Sequence, residues 1–72
     1  MKHERTIVGA KVRELRKAAK LTQLELSKRL DVGLRFVRDL EQGKITTRMD
    51  KVNLVLDFFG YHLEAVKNER AI

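Results

Sequence analysis

Residues 21–44 read LTQLELSKRLDVGLRFVRDLEQGK, and this stretch decides the fold because it spells two short helices joined by one tight turn. Thr22 is placed to cap the first helix. Glu25, three residues on, completes the capping box, in which each side chain bonds the other's backbone. Leu24, Leu26 and Leu30 are the apolar residues of that helix. Asp31, Val32 and Gly33 then break the helical period. Aspartate tolerates a left-handed backbone, Val32 can plug the angle between two helices, and Gly33 can start the next one. From Leu34 the second helix turns Phe36, Val37 and Leu40 inward and leaves Arg35, Arg38 and Asp39 outward, until Gly43 stops it. The pattern predicts a helix-turn-helix whose outward arginines have the donors to read base edges.

On the N-terminal side, a further helix is expected over residues 6–19, with Val8, Val12, Leu15 and Ala19 as its buried stripe and Ile7 and Ala18 widening it. On the C-terminal side, Lys44-Ile45-Thr46 leads to Thr47, which is expected to cap a fourth helix with Asp50 in the capping-box position and an end at Phe59. Met49, Val52, Leu54, Val55, Leu56, Phe58 and Phe59 give that helix more apolar surface than one partner covers. The helix-turn-helix core is one candidate partner and a second copy of the chain the other. Gly60 is placed as its stop. In the segment YHLEAVK, residues 61–67, Tyr61, Leu63 and Ala65 share one face of a strand. A lone strand leaves its backbone groups unpaired, so it would pair with the same strand of a second chain; the alternative is a fifth short helix containing Leu63, Val66 and Lys67. The expected organisation is a flexible arm (1–5), a helix-turn-helix domain (6–60), a dimerisation strand (61–67) and a tail (68–72).

A chain of 72 residues forms one small domain, of a size whose burial is marginal, so a homodimer is attractive. There is no cysteine to make a disulfide or a thiolate zinc site, and His3 and His62 form no metal constellation, so neither metal nor cofactor is expected. The net charge of +6 is unevenly placed: residues 1–44 carry 12 Lys/Arg against 6 Asp/Glu, while residues 45–72 carry 4 of each. A basic half joined to a neutral half suits a protein that lays one face on a polyanion. Charges interrupt the N-terminus, and no apolar run approaches the roughly 20 residues that span a bilayer. The reading is a cytosolic protein with no membrane partner. An enzyme has no support: no Ser/His/Asp arrangement, no paired carboxylates in an apolar setting and no glycine-rich nucleotide loop stand in the chain.

The run TQLEL at 22–26, the turn containing Val32 and the closing LEQGK at 40–44 together resemble the Cro/repressor (XRE-type) family of bacterial and phage DNA-binding domains over residues 7–60. RELRKAAKLTQ at 13–23, RDLEQGK at 38–44 and FGYHLE at 59–64 are similar to the HipB-type antitoxins that repress their own toxin operon. The resemblance implies an all-α, four- to five-helix lambda-repressor-like domain with a short C-terminal strand that pairs across a dimer. It further implies a pseudo-palindromic double-stranded DNA operator in the bacterial nucleoid, and a HipA-like kinase toxin as second partner. Two positions depart from the family pattern: its usual turn glycine is Asp31 here, and its usual serine before the recognition helix is Gly33. Gly33 loses a side-chain cap but lets backbone N–H groups come close to a phosphate.

The resemblance places Thr22 and Gln23 at a helix start, where family members use the glutamine to bond a phosphate; the alternative is an exposed polar residue. Arg35 is the main candidate base reader, since a guanidinium matches guanine O6 and N7 in a pair worth ~1–3 kcal/mol of discrimination. Its alternative partner is Asp39, four residues on, which would hold Arg35 in a reading rotamer. Arg38 is expected on a base or phosphate, or else solvated beside Glu41 or Gln42. Leu34 is placed to touch a thymine methyl, or is a plain surface leucine. Gly33, Gly43 and Lys44 are expected against the phosphate backbone. By resemblance, Arg16 and Glu41 form an ion pair tying the first helix to the end of the third. Phe58, Phe59, Tyr61, Leu63 and Ala65 are the candidate dimer interface. Two rival functions stand beside an antitoxin repressor: an interaction module that neutralises a toxin without specific DNA binding, and a phage repressor or restriction-modification controller.

Overall fold

A computed structural model describes residues 7–44 and 48–65. Four α-helices follow one another: α1 (Ile7–Ala18), α2 (Gln23–Leu30), α3 (Leu34–Gln42) and α4 (Met49–Phe58). α1 packs against α3, and α2 touches both α3 and α4. Val12, Leu26, Val37, Leu40, Val52, Val55 and Leu56 are buried between them, with Val8, Leu21, Leu30, Val32, Phe36, Phe59 and Leu63 packed around that centre. Each valine or leucine fully withdrawn from water contributes ~1.5–3 kcal/mol, so this one cluster holds the helices together.

The buried side of α1 differs from the expected stripe. Gly9, Val12 and Arg16 are buried, while Ala18, Ala19 and the first helical residue, Ile7, stay exposed. Arg16 displaces the apolar residue expected at that depth because a buried carboxylate on α3 receives it. In α2, Leu26 is fully buried, but Leu24 faces outward beside Glu25. Met49 and Leu54 on α4 are exposed as well.

All four helices end in the same way. The residue after the last turn adopts a left-handed conformation: Lys20 (φ 61°), Asp31 (φ 56°), Gly43 (φ 82°) and Gly60 (φ 84°). Its N–H returns to the helix three residues back, and the next N–H reaches five back: Leu21 to Arg16 at 3.1 Å, Val32 to Ser27 at 2.9 Å, Lys44 to Asp39 at 3.0 Å and Tyr61 to Leu56 at 2.8 Å. This paired closure is the Schellman motif, which satisfies carbonyls that a helix end leaves without partners. Leu21 and Val32, the residues that complete it for α1 and α2, also dip into the core.

The helix starts differ. Thr22 Oγ1 accepts from Glu25 N at 3.0 Å and Thr22 N donates to the Glu25 carboxylate at 2.8 Å, closing the capping box of α2. α3 starts from Gly33, extended at φ −69° and ψ 145°, with no side-chain cap. The N-cap of α4 falls on Arg48, one residue later than the capping box expected from Thr47, which lies outside the described residues. Arginine has no acceptor with which to cap, and Asp50 is held by the Arg48 guanidinium at 2.7 and 3.2 Å instead of closing a box.

Beyond Gly60 the expected strand is not formed. Residues 61–65 have no regular structure, neither strand nor fifth helix, and Val66 and Lys67 lie outside the described residues. The segment bonds α4 instead: besides the Tyr61 closure, Leu63 N donates to Asn53 Oδ1 at 3.0 Å. Lys11 Nζ stands 5.5 Å above the Tyr61 ring, and the Arg29 guanidinium 5.9 Å from the Phe58 ring.

Candidate nucleic-acid interface

α3 presents the exposed face the sequence points to. Arg35 and Arg38 are exposed, and neither has a hydrogen-bond or ion-pair partner among the described residues. The expected hold of Asp39 on Arg35 is corrected by the geometry: Asp39 Oδ1 lies 3.6 Å from Lys44 Nζ, one residue past the Gly43 turn that brings Lys44 back over the helix end. Nor does Arg38 pair with Glu41, whose carboxylate faces inward. Two free guanidiniums one helical turn apart therefore project from the same helix. Leu34 is half-buried at its start, and Gly33 is exposed ahead of it. A Cβ built on Gly33 would come no closer than 4.0 Å to any neighbour, so the glycine is not required by crowding.

Behind this face lies a buried polar network. Arg16 Nε donates to Glu41 Oε2 at 2.7 Å and Nη2 to Oε1 at 3.0 Å, a two-pronged pair linking α1 to the last turn of α3. Arg16 Nη1 also donates to the Leu21 carbonyl at 2.8 Å, just before α2. The Glu41 hydrogen bonds hold the Arg16 guanidinium above its ordinary pKa, against the downward pull of burial. Gln23, in the first turn of α2, adds a third strand, its Nε2 donating to Glu41 Oε1 at 3.0 Å. Sequence reasoning assigned Gln23 to phosphate and did not give it this inward partner.

Arg13 and Gln42 join Arg16, Thr22, Gln23 and Glu41 around an open depression of about 440 Å³ at the start of α2. Sequence reasoning does not single out Arg13, and it names Gln42 only as an alternative neighbour of Arg38. The available signal is the i, i+3 spacing of Arg13 and Arg16, which puts both on the side of α1 that lines this depression. At the capping box, bonds from the Thr22 backbone and side chain hold the Glu25 carboxyl below its ordinary pKa. That charge stabilises a helix start from which the N–H groups point outward. The five interface candidates separate: Phe59 and Leu63 pack on this chain's own core, while Phe58, Tyr61 and Ala65 are exposed.

A short cap-boxed helix, a turn closed by a left-handed Asp31 and a second helix with two exposed arginines stand at the centre of the region that the helix-turn-helix family model matches, residues 12–66. The chain belongs to the helix-turn-helix family, in its Cro/repressor (XRE) branch. This family is not enzymatic. Among relatives of this helix-turn-helix chain is an uncharacterised HTH-type transcriptional regulator, y4mF, of Sinorhizobium fredii. It is 46% identical over 57 residues, which span 79% of this chain and 75% of that protein. No helix among the described residues of this family member is long and apolar enough to cross a membrane.

Proposed function

We propose that this chain is a DNA-binding transcriptional regulator that acts as a dimeric repressor, its two α3 helices entering successive major grooves about 34 Å apart on a pseudo-palindromic operator. The observation that carries the reading is the pair of exposed guanidiniums of Arg35 and Arg38 on the second helix of the motif, neither with a partner among the described residues. Arg35 and Arg38 read bases, Leu34 meets a thymine methyl, and Thr22, Gln23, the Gly33 and Gly43 backbones and Lys44 hold phosphates. Lys44 exchanges its ion pair with the half-buried carboxylate of Asp39 for a phosphate, and half-exposed ion pairs of this kind are worth ~1 kcal/mol or less.

The likeness of the C-terminal FGYHLE to HipB-type antitoxins supports a narrower role: autoregulation of a toxin operon with a HipA-like kinase as partner, in the bacterial cytoplasm. In that reading Phe58, Tyr61 and Ala65, exposed in the single chain, meet a second copy, and residues 61–67 become a strand when that copy supplies the neighbour. Selection of sites from random duplex DNA at about 0.15 M salt, where non-specific attraction is partly screened, is the test. An enriched two-fold symmetric site is expected. Recovery of no motif would defeat the repressor reading and favour the interaction module.

A further inference from the structure

The DNA-binding reading leaves a buried ion pair, Arg16 and Glu41, without a role beyond holding the fold. Glu41 is 2% exposed, and its two oxygens are not equivalent. Among the described residues, Oε2 accepts only from Arg16 Nε, whereas Oε1 is shared between Arg16 Nη2 and Gln23 Nε2, each at 3.0 Å. A carboxylate accepts and never donates, so Glu41 decides which end of the Gln23 amide faces inward: the nitrogen, with one of its two N–H groups used. The second N–H is left over, half-buried, at the start of a helix whose N–H groups already favour an anion. A carboxylate this close to a phosphate would ordinarily repel it, but the Arg16 guanidinium cancels that charge at 2.7 Å.

We propose that Glu41 is a positioning residue for DNA binding: held by Arg16, it orients the Gln23 amide so that its remaining N–H donates to a phosphate oxygen. The proposal rests on the DNA-binding reading and adds a division of labour. Gln23 touches the backbone, and Glu41 acts only through Gln23. The network also connects α2, which carries this phosphate contact, to the last turn of α3, so one carboxylate adds a polar tie between the grip and the reading helix to the apolar packing that already joins them.

Two measurements test it. In nuclear magnetic resonance of the free wild-type protein, one Gln23 side-chain amide proton is expected to exchange slowly and shift as a carboxylate-bonded proton does. Equal, fast-exchanging amide protons would overturn the orientation. Next, Gln23→Ala is made in the wild type and in Arg16→Met/Glu41→Leu, which removes both buried charges together. Binding is read on a random-sequence duplex of about 20 base pairs at low salt, where phosphate contacts dominate. In the wild type, Gln23→Ala is expected to weaken binding roughly tenfold, as loss of one hydrogen bond to a charged group does. The salt slope should stay unchanged, since a neutral amide displaces no counterion. In the charge-free background the same substitution is expected to cost less than roughly threefold, the sign of coupled residues. Equal losses in the two backgrounds overturn the positioning role and leave the DNA-binding reading intact. A wild type that binds no duplex overturns that reading, and the role of Glu41 with it, whatever the amide spectrum shows.

Discussion

Replacing Glu41 with alanine isolates what the buried pair does for stability. Arg16 is 8% exposed and Glu41 2%, so neither charge can turn to water without opening the α1–α3 contact. Without the carboxylate, Arg16 keeps one hydrogen bond, to the Leu21 carbonyl at 2.8 Å, and its charge is otherwise uncompensated. Stranding one partner of a buried pair costs about 3–5 kcal/mol. At roughly 0.05–0.15 kcal/mol per residue, a domain of 72 residues holds only about 4–11 kcal/mol in total. The substitution should therefore remove about a quarter of the stability or more and lower Tm by at least ~12 °C, at about 4–8 °C per kcal/mol for a domain this size. Arg16→Met/Glu41→Leu should do better than the single change although it alters more. It leaves no buried charge, and its remaining cost, the Leu21 carbonyl and the Gln23 amide without their partners, is about 1–2 kcal/mol. Urea and thermal unfolding followed by circular dichroism measure both. A Glu41→Ala cost below about 1 kcal/mol, or a double variant no more stable than the single one, would refute this account of the pair.

Lys20 is an L-residue at φ 61°, a conformation costing ~1–2 kcal/mol, part of which glycine returns through its freer unfolded chain. Lys20→Gly should raise stability by about 0.5–1 kcal/mol in calorimetry. Gly33→Ser has room for its side chain and supplies the cap α3 lacks, so a gain of up to ~1 kcal/mol is expected, with loss of DNA affinity if close approach of that backbone to phosphate matters. Glu25 has a folded pKa below its ordinary 4.5, so its share of stability is present above that value and lost as pH falls through the folded one. Glu25→Gln keeps an acceptor for Thr22 and removes the titration, so its unfolding free energy should fall less steeply than wild type below about pH 4.5. Arg35→Ala should lose discrimination at one base position per half-site, whereas Lys44→Ala should weaken all sequences alike and reduce the salt slope by about one; identical behaviour in competition assays would reverse the division into readers and grips.

The motif was legible because its signals are local. The Thr22 and Glu25 box, the turn at Asp31, the inward Val37 and Leu40 and the glycines at 43 and 60 each act within a few residues of chain. Misreadings arose where a distant partner decides. Periodicity placed Ala19 in the stripe of α1 and left Arg16 to an ion pair known only by resemblance, because hydrophobic spacing cannot see a carboxylate 25 residues away on α3. Asp39 was matched to Arg35 by i, i+4 spacing, but the Gly43 turn folds Lys44 back to it. The inward bond of Gln23 has no sequence signature. The strand over 61–67 rests on loose alternation and on the antitoxin resemblance, and neither supplies the neighbour a strand needs within one chain. The left-handed Lys20 carried no warning, since lysine gives none of the local cues that aspartate and glycine do.

The two left-handed residues that bracket α3, Asp31 before it and Gly43 after it, act as a phase lock on the helix between them. An α-helix advances about 100° and 1.5 Å with each residue. The three residues 31–33 thus set where on the compass Arg35 and Arg38 point, and a single added or deleted residue there would swing both by more than a quarter turn. The surface loops of most small domains tolerate changes of length. In this one, the shortest connection holds the tightest angular tolerance, so a change in its length would cost the reading face more than a change of residue at the exposed Gly33.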